Sequence, residues 1–135
     1  MPIHLNHTIV HATDKKRSAE FLAGLLDLDV KPQFGPFLPV PLANDVTLDF
    51  ADSGERPIVA QHYAFLVSDE EFDAAFGRIK EAGLTYYPGP DLSRPGEINH
   101  RDGGRGVYWL DPDGHVLELL TRPYGSGGRT GAEEQ

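Results

Sequence analysis

Two histidines and two acidic residues occur in this 135-residue sequence in a pattern that could bind a metal ion. His7 and His62 occupy the same place in two similar segments, and Asp49 and Glu118 each lie in the last β-type segment of one half of the chain. The chain has no cysteine, so thiolate ligands and disulfides are excluded. Imidazole and carboxylate groups bind divalent first-row metals, so any metal here is expected to have nitrogen and oxygen ligands.

An internal repeat relates the two halves of the chain. Residues 6–14 (NHTIVHATD) align with residues 61–69 (QHYAFLVSD) without a gap. Each copy reads as an amide, a histidine, a β-type stretch, and then a hydroxyl and an aspartate where a helix should begin. Thr13 and Ser68 are the expected N-caps, and Ser68 with Glu71 fits a capping box. An amphipathic helix is therefore predicted after each copy.

Short β-type segments follow each predicted helix. In the first half they are residues 30–34, 37–42 and 46–51, and in the second half residues 84–87, 106–110 and 116–121. Both halves therefore read β-α-β-β-β. We predict an α+β fold in which two βαβββ modules form a curved eight-stranded mixed sheet around a metal or ligand cavity, with the helices outside. The modules are expected at about 1–54 and 55–124 of a single domain, followed by a disordered, glycine-rich tail over residues 125–135.

The alternation of side chains along a strand selects the residues that face the predicted cavity. In the segment 46–51 the apolar residues suit a helix-packing face, which turns Thr47 and Asp49 toward the cavity. Glu118 stands between leucines, where an unpaired carboxylate would cost several kcal/mol and a bound cation would remove that cost. Asp49 is left with three possible roles, which are a fourth metal ligand, a general base, or a neighbour bound only to water.

Three stretches of the chain resemble the vicinal-oxygen-chelate superfamily, which includes glyoxalases, extradiol dioxygenases, fosfomycin thiol transferases and metal-free bleomycin-binding proteins. They are residues 6–14, residues 61–65 (QHYAF) and, most specifically, residues 106–118 (GVYWLDPDGHVLE). The resemblance extends from Leu5 to Arg122. It implies that His7, His62 and Glu118 bind one divalent ion of Fe, Mn, Ni or Zn. It also implies a homodimer, in which His7 could join the other two ligands from a second chain.

The resemblance implies a metal-dependent enzyme that binds a small molecule through two adjacent oxygens. Fe(II) would suit a dioxygenase, whereas Zn, Ni or Mn would suit a glyoxalase-type lyase or isomerase. Three ligands without a strong fourth favour the dioxygenase type, with His100 and Tyr108 as candidate acid–base groups. One alternative is a thiol transferase acting on an epoxide antibiotic, although residues 99–105 replace the Ser- and Lys-bearing loop of those enzymes. The other is a metal-free protein that sequesters a toxin, as bleomycin resistance proteins do.

Several further side chains are expected to bind the substrate. Tyr108 matches an aromatic residue that contacts substrate in some relatives. Trp109 offers a stacking surface, and Arg101 and Arg105 lie in a Gly- and Pro-rich segment, residues 88–105, that is either a functional lid or a mobile loop. With Thr47, these residues complete the predicted substrate-binding set.

Composition excludes some partners. The formal net charge is −9 and the 12 basic residues are scattered, so nucleic acid is not an expected partner. No apolar run approaches the roughly 20 residues of a membrane span, so no membrane association is expected. The opening Met-Pro-Ile-His lacks the basic and apolar regions of a secretory signal, and we expect the protein to be cytoplasmic.

Overall fold

The structure is a computed structural model that describes residues 2–127 of the chain. Its contacts divide it into two units, one up to Val59 and the other from Ala60 onward. The first contains β1 (His7–Ala12), α1 (Lys15–Leu26), β2 (Phe37–Pro41) and β3 (Thr47–Asp52). The second contains β4 (His62–Leu66), α2 (Asp69–Glu81), β5 (Tyr86–Tyr87), β6 (Gly106–Leu110) and β7 (Val116–Leu120), with a 3-10 turn at Arg101–Gly103. The predicted α+β composition is confirmed.

The first unit is a three-stranded sheet covered by α1. Its strand order is β1-β3-β2, with β1 parallel and β2 antiparallel to β3. Helix α1 contacts all three strands. Leu48 and Phe50 of β3 are buried together with Val10 of β1. Thr47 and Asp49, which alternate with Leu48 and Phe50 along β3, are half-buried. The period-two pattern of the sequence therefore separated the helix-packing face from the opposite face correctly.

The strand expected over residues 30–34 does not form. Within this segment Lys31 makes one hydrogen bond to the carbonyl of Pro39, and Phe34 forms an isolated bridge with Phe37. Pro32 has no backbone N–H and restricts the conformation of Lys31, which prevents a regular ladder. The part of the chain that the structure describes therefore has seven strands, arranged in sheets of three and four, where the sequence predicts eight. The single curved sheet stays a prediction.

Both helices begin near the predicted positions, and each has a side-chain cap. The N-cap of α1 is Asp14 instead of Thr13, because the Asp14 carboxylate accepts hydrogen bonds from the backbone N–H groups of Lys16 and Arg17. A carboxylate is a stronger acceptor than a hydroxyl and carries the charge that a helix N-terminus favours. The capping box of α2 is confirmed, and Ser68 and Glu71 each accept the other's backbone N–H.

The second unit is a four-stranded sheet with one apolar face. Its strand order is β4-β7-β6-β5, and β4 runs parallel to β7. The ladder between β6 and β7 pairs Val107 with Leu119 and Trp109 with Leu117, and all four side chains are buried. The core of this unit also includes Phe72, Ala75 and Ile79 of α2. The same ladder pairs Tyr108 with Glu118, so these two polar side chains lie next to each other on the face of the sheet opposite the apolar one.

The segment between β5 and β6 is fixed to the start of β6. Asn99 and Gly106 exchange two backbone hydrogen bonds of 2.9 Å, and the Asn99 side chain donates to the carbonyl of Pro88. After β7, Tyr124–Gly127 form a turn; the remainder of the predicted disordered tail, residues 128–135, lies outside the described residues. Among residues 2–127, no helix combines the length and the apolar character that a membrane span requires.

Candidate functional site

The two units place a histidine and a carboxylate at equivalent positions in their sheets. In the first unit Ile9 of β1 pairs with Asp49 of β3, and His7 lies two residues before Ile9. In the second unit Ala64 of β4 pairs with Glu118 of β7, and His62 lies two residues before Ala64. Residues two apart on a strand share a face, so each unit presents its histidine and carboxylate on one side of its sheet. The internal repeat therefore extends to the register of the polar residues.

Glu118 is the buried centre of the site in the second unit. Its side chain is 1% exposed, and its Oε1 lies 2.9 Å from Nε2 of His62, which is 44% exposed. The other oxygen, Oε2, accepts a hydrogen bond from the hydroxyl of Tyr124. A carboxylate only accepts hydrogen bonds, so in this arrangement the proton between the two groups belongs to Nε2 of His62.

Tyr108 and Arg101 extend this network away from the carboxylate. The hydroxyl groups of Tyr108 and Tyr124 lie 2.9 Å apart, and Nη1 of Arg101 donates to the Tyr108 hydroxyl at 2.8 Å. The ring of Tyr108 also meets the imidazole of His62 edge-on, with 5.7 Å between their centroids. We call His62, Glu118, Tyr124, Tyr108 and Arg101 the Glu118 network.

The environment keeps both tyrosines of the network protonated. Burial raises the pKa of Tyr124, and its hydrogen bond to Glu118 raises it further. Burial also raises the pKa of Tyr108, with an added contribution from the charge of Glu118. Burial opposes the charge of Arg101, yet its hydrogen bond to Tyr108 leaves the pKa of Arg101 above its ordinary value. The network therefore contains two neutral hydroxyl groups and one permanent cation.

A cavity of about 420 Å³ opens beside the network. Four members of the network, His62, Arg101, Tyr108 and Tyr124, contribute to its wall. The rest of the lining comes from the segment between β5 and β6, namely Gly89, Pro90, Asp91 and Arg94. The volume lies within the range of roughly 300 to 1,000 Å³ that is typical of small-molecule sites.

The chemistry of the donor set fits a metal ion. In the described part of the chain, no Lys or Arg forms an ion pair with Glu118, although this carboxylate is almost fully buried. A buried charge without a cationic partner is costly, and a cation between Glu118 and His62 would provide that partner. Within either unit, the described residues bring no three His, Asp or Glu side chains close enough to form a complete site. His62 and Glu118 could therefore provide two ligands to a metal ion, and a third would have to come from elsewhere.

The remaining predicted site residues of the first unit lie on one sheet face. His7 pairs with Thr47 in the ladder between β1 and β3, and Asp49 follows two residues later. His7 is exposed, and its Nδ1 lies 2.8 Å from Oδ1 of Asn6. An interaction of this kind fixes the orientation of an imidazole ring and leaves its other nitrogen, Nε2, for a ligand.

Three predicted residues of the second unit lie outside the cavity wall. Trp109 is fully buried on the apolar face, because it follows Tyr108 on β6 and alternation turns it the other way. Arg105 instead joins α2 to the start of β6, with Nη1 2.7 Å from Asp73 and Nη2 3.1 Å from Asp69. His100 is exposed at the start of the 3-10 turn, so it is not among the residues that line the cavity.

Sequence reasoning missed Tyr124 and Asp102. Asp102 is buried and accepts the backbone N–H groups of Gly125 and Gly127, each at 3.1 Å, which ties the turn after β7 to the 3-10 turn. This attachment brings Tyr124 to Glu118. The available signal was weak, since Tyr124 is a single aromatic residue at the start of a glycine-rich tail.

Comparisons with known proteins agree with this architecture. The family model of the Glyoxalase/Bleomycin resistance protein/Dioxygenase superfamily matches residues 4–119. The structure of "Oxidase ChaP-H2" is 64% identical and superimposes with a TM-score of 0.92, covering 95% of this chain and 100% of that one. "Oxidase ChaP-H1" is 62% identical with a TM-score of 0.88, covering 92% of this chain and 99% of that one.

A curated relative has a different activity. Glutathione transferase FosA of Serratia marcescens is 30% identical over 122 residues, which cover 85% of this chain and 78% of FosA. The match of the family model over most of the chain and the similarity of these relatives lead to one conclusion. The chain belongs to the Glyoxalase/Bleomycin resistance protein/Dioxygenase superfamily, also known as the vicinal-oxygen-chelate superfamily.

Proposed function

We propose that the chain is a metal-dependent enzyme of the dioxygenase type that oxidises a small molecule bound through two adjacent oxygens. The observation that carries this proposal is the 2.9 Å approach of His62 Nε2 to the buried Glu118 Oε1 beside a cavity. A divalent cation held there would supply a Lewis acid for the two substrate oxygens and, if it is iron, a redox-active centre. The similarity to the two ChaP oxidases, above 60% identity in each case, favours oxidation over isomerisation.

The proposed ligands are His62 and Glu118 of the second unit and His7 of the first. His62 would bind through Nε2 in the tautomer that carries its proton on Nδ1, so the proton would leave Nε2 and the bond to Glu118 seen in the metal-free protein would be lost. His7 would join them from the same chain or from a second copy, since we also propose a homodimer. Asp49 occupies in the first unit the register position that Glu118 has in the second, which supports a role as a fourth ligand or as a general base.

The other residues of the Glu118 network would act on the bound molecule and on the ligand geometry. Tyr124 holds Oε2 of Glu118, which leaves Oε1 on the side of His62. Tyr108 keeps its proton and donates it to the Tyr124 hydroxyl, because Tyr124 gives its own proton to Glu118. Tyr108 would donate to a substrate oxygen in the cavity only by giving up that bond. Thr47 and Arg101 remain proposed substrate contacts, the latter because it lines the cavity.

Thiol transfer to an epoxide is the second candidate, because FosA of Serratia marcescens is a glutathione transferase and is 30% identical to this chain. Both candidates need a metal ion, but they differ in co-substrate. Oxidation of a catechol consumes dioxygen, whereas addition of a thiol to an epoxide does not. The co-substrate therefore separates the two reactions.

Metal binding is the first test. Protein freed of metal and titrated with Fe(II), Mn(II), Ni(II) and Zn(II) should bind about one ion per chain. The Glu118→Gln and His62→Ala variants should lose at least about 100-fold in affinity, because each removes a ligand. His100→Ala serves as the control and should keep the wild-type affinity. Binding of an aromatic ligand by a protein that takes up no metal would favour the sequestering alternative and exclude the enzyme.

The reaction is the second test. The metal-loaded protein should be offered catechols under air, an epoxide with a thiol, and a ketoaldehyde with a thiol. Oxygen consumption with the first panel supports the proposal, whereas thiol consumption with the second would replace it by the transferase. Turnover of the third panel alone would indicate a glyoxalase-type enzyme.

A further inference from the structure

Arg101 is a half-buried cation without an acidic partner. Its Nη1 donates to the hydroxyl of Tyr108 at 2.8 Å and approaches that of Tyr124 at 3.5 Å, while its Nε is buried without an acceptor. No carboxylate of residues 2–127 lies within ion-pair distance of this guanidinium. By contrast, Arg105 lies 2.7 Å from Asp73, and Arg94 lies 3.7 Å from Glu97. A partly desolvated guanidinium attracts an anion more strongly than one already paired in water.

The space in front of Arg101 is open toward the cavity. Gly89 lines the cavity, and a Cβ added there would lie 3.4 Å from Oδ1 of Asp91 and 3.7 Å from Nη2 of Arg101. Glycine therefore leaves this nitrogen accessible. The two tyrosines occupy Nη1 only, and the planar guanidinium has five N–H donors, so donors remain for a ligand.

Among the charged side chains that line the cavity, cations outnumber anions, although Arg94 is paired with Glu97 and the carboxylate of Glu118 lies beside His62 in the wall. The eight lining residues include two arginines and one aspartate, whereas the formal net charge of the chain is −9. The aspartate, Asp91, is exposed, and its carboxylate accepts the backbone N–H and the hydroxyl of Ser93. Its charge is exposed to water, which screens it, although Oδ1 also borders the space beside Gly89.

From these observations we propose that Arg101, with the space left by Gly89, is an oxyanion-binding subsite, and that the substrate is an organic anion. A carboxylate or an ionised phenol of the substrate would pair with Nη2 of Arg101, as guanidinium groups do with planar oxyanions. This inference rests on the proposed function for the orientation of the substrate, whose two adjacent oxygens would face His62 and Glu118. Beyond the proposed function, this inference specifies that the substrate is an anion and that Arg101 selects it.

Binding of benzoate and of its neutral analogue benzamide to the metal-free protein tests the subsite without metal chemistry. We expect benzoate to bind at least about tenfold more tightly than benzamide by NMR titration, since a charge-assisted pair is the difference between the two ligands. Arg101→Met should abolish this preference. Arg94→Met removes the same charge from the same cavity and should keep most of the preference, because Arg94 is exposed and paired with Glu97.

A second variant protects the test against a folding defect in Arg101→Met. Gly89→Val changes no residue of the Glu118 network and fills the space in front of Nη2 of Arg101. It should therefore weaken benzoate binding at least about tenfold and change the melting temperature little. Equal affinity of the wild type for benzoate and benzamide would overturn the proposal. The proposal is also overturned if Arg94→Met abolishes the preference for benzoate as fully as Arg101→Met does. The overall positive charge of the cavity, and not Arg101 itself, would then explain the preference.

Failure of the subsite and failure of the proposed function give different results. The metal titration tests the function alone, and the benzoate titration tests the subsite alone. In the metal-loaded protein, 3,4-dihydroxybenzoate should bind more tightly than catechol, and Arg101→Met should remove that advantage while catechol binding remains. A protein that binds metal and catechol without this advantage retains the function and loses the subsite.

Discussion

The hydroxyl of Tyr124 donates a hydrogen bond to Oε2 of Glu118, while Oε1 of the same carboxylate faces His62. One oxygen of a buried carboxylate is thus held by a neutral donor, and the other lies beside the nitrogen with which it would share a metal ion. Hydrogen bonds of this kind fix the orientation of a ligand and are often as important as the ligand itself. Tyr124 is therefore expected to preorganise Glu118.

Tyr124→Phe removes this hydrogen bond and keeps the ring. We expect the affinity for Mn(II), measured by calorimetric titration, to fall about tenfold, because Glu118 loses the partner that orients it. Tyr86→Phe removes a hydroxyl from a ring that packs against Phe76 in the same unit and should leave the affinity unchanged. An increased affinity of Tyr124→Phe would show that Tyr124 competes with the metal instead of orienting its ligand.

Asp102→Asn should loosen the turn that carries Tyr124. Both carboxylate oxygens accept a backbone N–H, from Gly125 and Gly127, and an amide side chain can accept only one of them. Asn tolerates the positive φ of 56° at this position, so backbone strain does not confuse the result. We expect a loss of about 1 to 2 kcal/mol in the free energy of unfolding and faster amide hydrogen exchange at one of the two glycines.

Asp45→Asn is the matched control for this substitution, because Asp45 also has a positive φ, of 66°, and is exposed. It should change neither stability nor exchange. If Asp102→Asn leaves the exchange of Gly125 and Gly127 unchanged, the attachment of the turn does not depend on this carboxylate.

Arg105→Lys tests whether Arg105 stabilises the fold, as its contacts indicate, or binds the substrate, as the sequence predicts. The guanidinium of Arg105 donates to the side chains of Asp69 and Asp73, and it lies 4.4 Å from the ring centroid of Phe72. Lysine keeps the charge but cannot reproduce the forked geometry. We expect a decrease of roughly 1 kcal/mol in the free energy of unfolding and an unchanged affinity for benzoate. A loss of ligand affinity without a loss of stability would restore the predicted substrate contact.

Much of the second unit could be predicted from the sequence, because its signals are local. The alternation around Glu118 placed the carboxylate among leucines, and the repeat matched His62 to His7. The capping box of Ser68 and Glu71 was readable from two residues at a fixed spacing. Each of these inferences uses the geometry of a single strand or helix, which the sequence specifies directly.

The parts that could not be predicted depend on contacts between distant segments or on hairpin register. Tyr124 reaches Glu118 only because Asp102 binds the backbone beyond it, and no periodicity reports such a contact. The sequence predicts that both Tyr108 and Trp109 contact the substrate, but consecutive residues of β6 face opposite ways, and Trp109 lies in the apolar core. The strand expected over residues 30–34 does not form because Pro32 has no N–H to donate to a ladder.

The capping box of α2 predicts a stability difference that depends on pH. Hydrogen bonds from Ser68 lower the pKa of Glu71 below its usual value near 4.5. A carboxylate with a lowered pKa in the folded state stabilises the protein above its unfolded pKa, and this stabilisation is lost as the pH falls through the folded value. Ser68→Ala should therefore lower the free energy of unfolding by about 1 kcal/mol at pH 7, and by less in acid.

Urea unfolding of the wild type and of Ser68→Ala at about pH 7 and about pH 3 measures this effect. The other carboxylates titrate in both proteins, and the backbone N–H of residue 68 donates to Glu71 in both, so the difference between the two proteins isolates the contribution of the Ser68 hydroxyl. The difference should shrink in acid without vanishing, because the Ser68 hydroxyl still accepts the backbone N–H of Glu71 when the carboxyl is protonated. A difference that is the same at both pH values would mean that the Ser68 hydroxyl stabilises the helix only as a cap and does not act on the Glu71 carboxylate.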